Sequence, residues 1–537
     1  MSMEQGYLCL VLHCHLPFVR HPEHDEFLEE DWFFEGVSET YLPLLEVFEG
    51  LRDDGVPFRA TLCLSPPLCE MLTDQRLQER CARYVERRLD LLEREVTSRR
   101  GTPFYEAAVM YLNRFQRVWN AYQERHRREV LARFARLQEE GWLEIIASAA
   151  THSLLPLLGG EEAVFAQVEQ GCRNYRKHFG RRPRGIWLPE CAFAEGLDRV
   201  LRRCGLEYCF LESNSILLAD PQPVHGVFAP VLTPGGVAAF GRDPESSRQV
   251  WSRQDGYPGD PAYREFYRDL GYDADYDYIR PYLHPDGVRR SIGIKYHRIT
   301  GGDVPLGRKE PYVPAAASRK ASEHAALFVS RCSAQVSGLS RLIGRRPIIV
   351  APYDAELFGH WWLEGVEFLD CVIREAARRQ YGIRMVTPTE YLSGNPTLQR
   401  CNPAPSTWGD KGHFDVWLNG SNDWIYPHLH HAERVMVTLA AEHVSTDGLL
   451  CRALNQCARE LMLGQSSDWP FLMALETADS YAVMRVKSHL SRFSRLSEQI
   501  RAGLIAEHEL LHLEQIDNIF SELDYSLYRP ACASKRD

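Results

Sequence analysis

Two acidic side chains sit where a polypeptide can do chemistry. Glu190, in GIWLPECAF, and Asp354, in IIVAPYDAELFGHWW, each follow a short apolar run and a proline, so each carboxylate stands at a strand end. One such acid is ordinarily a helix N-cap. Two at two strand ends make the pair that glycosidic bond cleavage needs: one gives a proton to the departing oxygen, while the other attacks the anomeric carbon or activates water. His13 and His15 are two apart on an apolar run, so their rings share a face of a strand. They can contact a sugar or start a metal site, and residues at the C-terminal ends of barrel strands face the active site. His152, in EIIASAATHSLLPLL, follows another run and can bond a hydroxyl.

Tryptophan supplies the third signal. Trp32, Trp187, Trp361, Trp362, Trp408, Trp417 and Trp424 fall in or beside expected loops and strand ends, and flat indoles suit the CH-rich faces of sugar rings. About half of them are expected only to pack the interior. Other chemistries lack their motifs: there is no GxGxxG after a strand, no GxxxxGK[ST], no GxSxG and no CxxC pair. His428, His430 and His431 read as the opening of a helix rather than a zinc site.

The elements that must hold these residues alternate. Short apolar runs at Tyr7 to His13, Phe58 to Leu64, Leu143 to Ser148, Gly185 to Leu188, Tyr208 to Leu211, Pro347 to Ala351 and Ile383 to Val386 read as strands buried on both faces. Helical patterns separate most of them, giving an α/β body. Residues 68–140 carry long charged stretches with apolar residues at helical spacing, a helical insertion whose charges form a solvated face. Residues 220–320, rich in Gly, Pro, Tyr and Asp, show few clean periods and read as a loop-rich segment. A Pro/Asn/Ser-rich stretch, CNPAPSTWGD, leads into a region that is helical from about Trp424. The limits read from this pattern are 1–420 for the catalytic body and 421–537 for a C-terminal all-helical domain.

The 537 residues hold 62 Lys+Arg against 73 Asp+Glu, a net charge of -11, with 45% hydrophobic and 25% charged residues. That mix excludes a disordered chain and leaves no basic excess for binding nucleic acid. Fifteen cysteines, scattered and odd in number, fit a reducing cytoplasm better than a disulfide scaffold. The apolar start is broken at His13 and follows Glu4, unlike a signal peptide, and no window approaches a membrane span. Neither nucleic acid nor membrane is an expected partner.

HCHLPF (His13 to Phe18), the segment around His152, WLPECAF (Trp187 to Phe193), APYDAELFGHWWLEG (Ala351 to Gly365), the pair Trp408 and Trp417, and SSDWPF (Ser466 to Phe471) together resemble glycoside hydrolase family 57, and within it the 1,4-α-glucan branching enzymes. The resemblance implies a (β/α)7 barrel with an inserted helical subdomain and a C-terminal helical domain closing over a cleft. It implies Glu190 as nucleophile and Asp354 as acid/base, with Asp354 kept protonated near neutral pH by burial or by the Glu190 charge. Trp32, Trp408 and Trp417 would line the glucan cleft, and Asp468 would reach it from the helical domain. His13, His15, His152, Trp361 and Arg264 complete the expected substrate contacts. No cofactor or metal is implied, the substrate is an α-1,4-glucan, and the protein is expected to be a monomer. One departure stands out: Gly226 to Gly256 contains no tyrosine, whereas the family's branching enzymes are thought to shield the glycosyl-enzyme from water with a loop tyrosine. Tyr257 or another residue would take that role, or the balance moves toward hydrolysis. The same pair of acids serves an α-amylase or a 4-α-glucanotransferase. Two other readings are a metal-dependent carbohydrate hydrolase or deacetylase with His13 and His15 as ligands, and a non-catalytic glucan-binding protein.

Overall fold

In a computed structural model that describes residues 4–252, 255–476 and 478–530, ten strands form one sheet. They are β1 (Gly6–Cys14), β2 (Ala60–Leu64), β3 (Leu143–Ser148), β4 (Gly185–Trp187), β5 (Tyr208–Leu211), β6 (Val231–Leu232), β7 (Ala238–Gly241), β8 (Ile348–Asp354), β9 (Ile383–Met385) and β10 (Gln399–Arg400). Seven of them run parallel in the order β8-β1-β2-β3-β4-β5-β7 and curl into a barrel. One backbone hydrogen bond, Asp243 N to the Val350 carbonyl at 2.9 Å, crosses the seam from the residues just past β7 to β8. β9 flanks the first half of β1, and β2 flanks its second half. β6 pairs antiparallel with β7 and carries β10 on its other edge. Every residue of β1 is buried, because helices cover one face and the barrel interior fills the other.

The segment read as irregular is not wholly so. It supplies β6 and β7, and β7 is the strand that brings the curl to its seam. Four residues, Ala-Ala-Phe-Gly, are too few to display a period. The charged insertion between β2 and β3 forms helices at Pro66–Thr73, Gln75–Ser98, Tyr105–Trp119 and Val130–Glu139. In the longest of these Leu77, Cys81, Tyr84, Val85, Arg88, Leu91, Leu92 and Glu95 recur at helical spacing on the buried side, and Asp74 caps its start by accepting from Leu77 N.

Beyond the barrel, helices span Ile425–Glu442, Gly448–Gly464, Asp468–Leu475, Asp479–Ala502 and Glu507–Ile516. Buried polar contacts seat them on the β3 side of the barrel: Gln167 Nε2 donates to Gln465 Oε1 at 2.9 Å, Gly159 N to Glu433 Oε2 at 2.6 Å, and Ser153 bridges Ser466. This contact holds the turn at Ser466–Asp468 over the open end of the barrel. Fourteen cysteines are free, and Cys532 lies outside the described residues. Among the described residues no helix is long and apolar enough to cross a membrane.

Candidate active site

A cleft of about 620 Å³ opens at the C-terminal ends of the strands. His13 from β1, Glu190 after β4, Arg242 after β7 and Asp354 at the end of β8 all line it, together with His15, His152, Trp32, Trp361, Trp408, Trp417 and Asp468.

Glu190 is held in a left-handed backbone conformation, φ 60°, with Cys191 at φ 51° beside it and His152 at φ 55° across the cleft. Such strain in non-glycine residues costs on the order of 1–3 kcal/mol each and persists only where the surroundings enforce it. Trp408 is one enforcer. Its backbone N–H donates to the Glu190 carbonyl at 2.9 Å, and its indole N–H donates to Glu190 Oε2 at 2.8 Å. Phe193 and Ser406 exchange backbone hydrogen bonds alongside, so the two segments form a clamp. The other carboxylate oxygen, Oε1, accepts from Ser467 Oγ at 3.0 Å. Burial pushes the Glu190 carboxyl up to about 7, the Trp408 and Ser467 donors draw it back, and the Asp468 charge adds to the rise.

Behind Ser467 stands a chain of imidazoles. His152 Nδ1 lies 2.9 Å from Ser467 Oγ, and His152 Nε2 lies 2.9 Å from His13 Nε2. Since Ser467 gives its proton to Glu190, His152 must donate from Nδ1, which leaves its Nε2 to accept from His13 Nε2–H. The remaining nitrogen, His13 Nδ1, is then a bare acceptor, and it is buried with no hydrogen-bond partner. Both rings are neutral in this arrangement, and burial pushes both well below the usual histidine range, each reinforced by a neighbouring imidazole. His13 is also stacked on Trp187 at 4.8 Å.

His15 differs in charge. Its Nε2 meets both Asp468 oxygens at 3.1 Å and its Nδ1 meets Ser65 Oγ at 2.8 Å. Burial alone would depress it, but the Asp468 carboxylate outweighs that and raises it, while Asp468 itself is lowered. His15, His152 and Asp468 place one possible ligand atom each within 4.8 Å of one another. That donor set is already occupied: His152 is committed to His13 and Ser467, and His15 to Ser65 and Asp468.

Asp354 is the partner acid. Burial raises it well above the usual carboxylate range, the Glu356 and Glu190 charges add to that, and Arg242 opposes them. Glu356, two residues on, takes both the Tyr41 hydroxyl and His15 N–H on its Oε1, at 2.5 and 3.0 Å. Arg242 is turned toward Glu212 at 3.0 Å and lies 5.7 Å from the Trp408 ring centre. Both carboxyls of the site are thus shifted upward, Glu190 to about 7 and Asp354 well above the usual carboxylate range.

The aromatic walls separate into functional and packing rings. Trp361 is 43% exposed, Trp32 and Trp408 are half-buried, and all three face the cleft. Trp417 lines it while almost fully buried, its ring pressed on Gly409, where an added Cβ would come within 2.7 Å. Trp187 and Trp362 are buried among core residues and Trp424 packs against the main core, so these three lie outside the cleft wall. Arg264 does not reach the cleft. It is buried behind it, donating to the carbonyls of His360 and Trp361 at 2.8 and 3.3 Å, since a guanidinium satisfies a cluster of carbonyls that a loop turning away from a strand leaves free. Tyr257 is likewise buried, stacked on His324 with its hydroxyl donating to Gln249 at 2.7 Å. The helix Pro244–Trp251 instead brings Trp251 to the cleft. Sequence reasoning missed Ser467, Arg242, Glu356 and Trp251.

The chain belongs to glycosyl hydrolase family 57, whose model matches residues 9–403. Residues 428–528 match a second model, described as the C-terminal region of 1,4-alpha-glucan branching enzyme. A 1,4-alpha-glucan branching enzyme of Thermococcus kodakarensis is 37% identical over 96% of this chain and 76% of its own. Among solved structures, a GH57-type branching enzyme from Pyrococcus horikoshii superposes with a TM-score of 0.88 at 36% identity, covering 98% of this chain and 97% of that one. A structure described as an alpha-amylase from Thermotoga maritima superposes with a TM-score of 0.91 at 42% identity, covering 98% and 99%.

Proposed function

We propose that the protein is a retaining 1,4-α-glucan branching enzyme, with residues 1–420 as catalytic barrel and 421–537 as helical domain. The supporting observation is Glu190, strained, gripped by two donors from two segments, and sharing one cleft with the second acid, Asp354. Glu190 attacks C1 of an internal α-1,4 linkage as Asp354 protonates the departing 4-oxygen; the C1–O bond breaks and a glycosyl ester forms. Asp354, now a carboxylate, takes the proton of an acceptor 6-hydroxyl, whose oxygen bonds to C1 and releases Glu190. The product is an α-1,6 branch with retained anomeric configuration. His13, His15, His152 and Asp468 serve as the polar floor, and Trp32, Trp361, Trp408 and Trp417 as the sugar-facing walls, with Arg264 acting through Trp361. The named relatives support transfer, and the free cysteines support a reducing, cytoplasmic setting. We take the working form to be a monomer.

Hydrolysis is the second reading. The Thermotoga maritima structure named as an alpha-amylase supports it, as does Tyr257, which packs in the core instead of facing the cleft. Amylose incubated with the protein decides between them. New α-1,6 anomeric proton signals with little gain in reducing ends establish branching, while reducing ends without those signals establish an amylase.

A further inference from the structure

The loop that follows Asp354 brings His360 and Trp361 to the cleft. Facing it is an α-helix, Asp31–Glu35, that runs into a π-helical stretch, Gly36–Tyr41. This wider winding is frequent at functional sites. Glu35 and Glu39 are four apart on it, a like-charge pair that a helix disfavours. His360 sits between them: Nδ1 lies 2.6 Å from Glu39 Oε2 and Nε2 lies 4.0 Å from Glu35 Oε2. The first contact is a full hydrogen bond and the second is too long to be one. Glu39 is backed by Gly359, whose added Cβ would strike the Glu39 carbonyl at 2.0 Å, so the loop and the helix are locked together. Burial would depress His360, but Glu39 outweighs it and raises it, favouring an imidazolium with a proton on Nε2. Among the described residues the Glu35 carboxylate has no hydrogen bond of its own, although it lines the cleft.

A hydroxyl oxygen at ~2.8 Å from both His360 Nε2 and Glu35 Oε2 would span the 4.0 Å gap with an angle of roughly 90° between them, close to the spread between a hydroxyl's proton and a lone pair. It would accept from His360 and donate to Glu35. Trp361, exposed beside them, offers an apolar face for the ring that carries this hydroxyl. The side of the cleft is informative as well. In a retaining pair the acid/base works on the leaving and incoming chain, and His360 and Trp361 belong to the acid's own loop.

We propose that Glu35 and His360, beside Trp361, form a hydroxyl-binding subsite for the acceptor glucan. The proposal rests on the transglycosylase reading above and deepens it. The two residues hold the acceptor and do not touch the reacting atoms.

The test uses the full-length protein with a nitrophenyl maltooligosaccharide as donor and maltooligosaccharides of increasing concentration as acceptor. Nitrophenol reports formation of the glycosyl-enzyme, and the ratio of transfer product to hydrolysis product reports acceptor binding. Glu35→Gln should lower that ratio about tenfold at sub-saturating acceptor and raise the half-saturating acceptor concentration about tenfold. Acceptors lacking one hydroxyl give the second measurement and require no variant. At least one monodeoxy acceptor should lose about tenfold with the unaltered protein, and lose little further with Glu35→Gln. An unchanged ratio in Glu35→Gln, an equal fall of transfer and hydrolysis, or tolerance of every monodeoxy acceptor by the unaltered protein overturns the subsite. No nitrophenol release by the unaltered protein overturns the transglycosylase reading instead.

Discussion

Ser467 Oγ, at the start of a helix of the C-terminal region, donates to Glu190 Oε1 at 3.0 Å across 277 residues of chain. One hydroxyl therefore makes the carboxylate of the barrel dependent on the docking of the helices. It also fixes the direction of the His13–His152 chain behind it.

Ser467→Ala removes a donor that favours the ionised carboxyl, so Glu190 rises above about 7. A hydrogen bond to a charged group is worth ~1.5–3 kcal/mol. kcat/KM below pH 7 should fall ten- to a hundredfold, with a much smaller loss near pH 8, so the acidic limb of the pH profile moves up. A loss of equal size at every pH would show that Ser467 acts on packing alone.

Glu190→Gln should abolish turnover, by at least about a thousandfold, and should stabilise the fold as pH rises. The folded pKa, about 7, exceeds the ordinary 4.5, so the folded state holds the proton more tightly and the unaltered protein loses stability as pH climbs through that interval. The variant escapes that loss, which amounts to ~3 kcal/mol at most. Thermal unfolding of both proteins from pH 4.5 to 8 checks it: the curves should diverge with pH and run parallel above 7.

Much of this site is legible in the residues, for a physical reason. Glu190 and Asp354 announce themselves because a buried strand must be apolar and its end must not, so an acid just past a proline is conspicuous. Ser467 has no such mark, because its partner is set by how two distant regions dock. Arg242 is hidden for another reason: it follows β7, whose four residues, three of them small, give no strand signal. Glu356 is the one missed residue that spacing alone places, two positions from Asp354. Trp187 and Trp408 look alike in sequence, yet one is fully buried under His13 and the other grips Glu190. What packs on each ring decides between them.

Glu356→Gln tests what keeps Asp354 protonated. The Glu356 charge raises Asp354, after burial itself. Both donors to Glu356, Tyr41 and His15 N–H, bond the same oxygen, which a glutamine carbonyl can replace. Losing the charge should lower Asp354 and move the alkaline limb of activity to lower pH with little change in thermal stability. An unmoved limb would mean that burial and the Glu190 charge set the acid without Glu356.

Trp408 combines two functions that substitution can separate. Its ring faces the cleft, while its indole N–H donates to Glu190 Oε2 at 2.8 Å. Trp408→Phe keeps an aromatic face and drops the donor, so kcat should fall about tenfold while KM for amylose stays within about twofold, on ~1.5 kcal/mol for a charge-assisted bond. Trp408→Ala loses both, and KM should rise as kcat falls. The backbone contact from Trp408 N to the Glu190 carbonyl survives either change, so the strained turn at Glu190 stays pinned and the two variants differ only in the ring. If Phe and Ala variants show the same KM, the indole face carries no substrate and Trp408 acts on Glu190 alone.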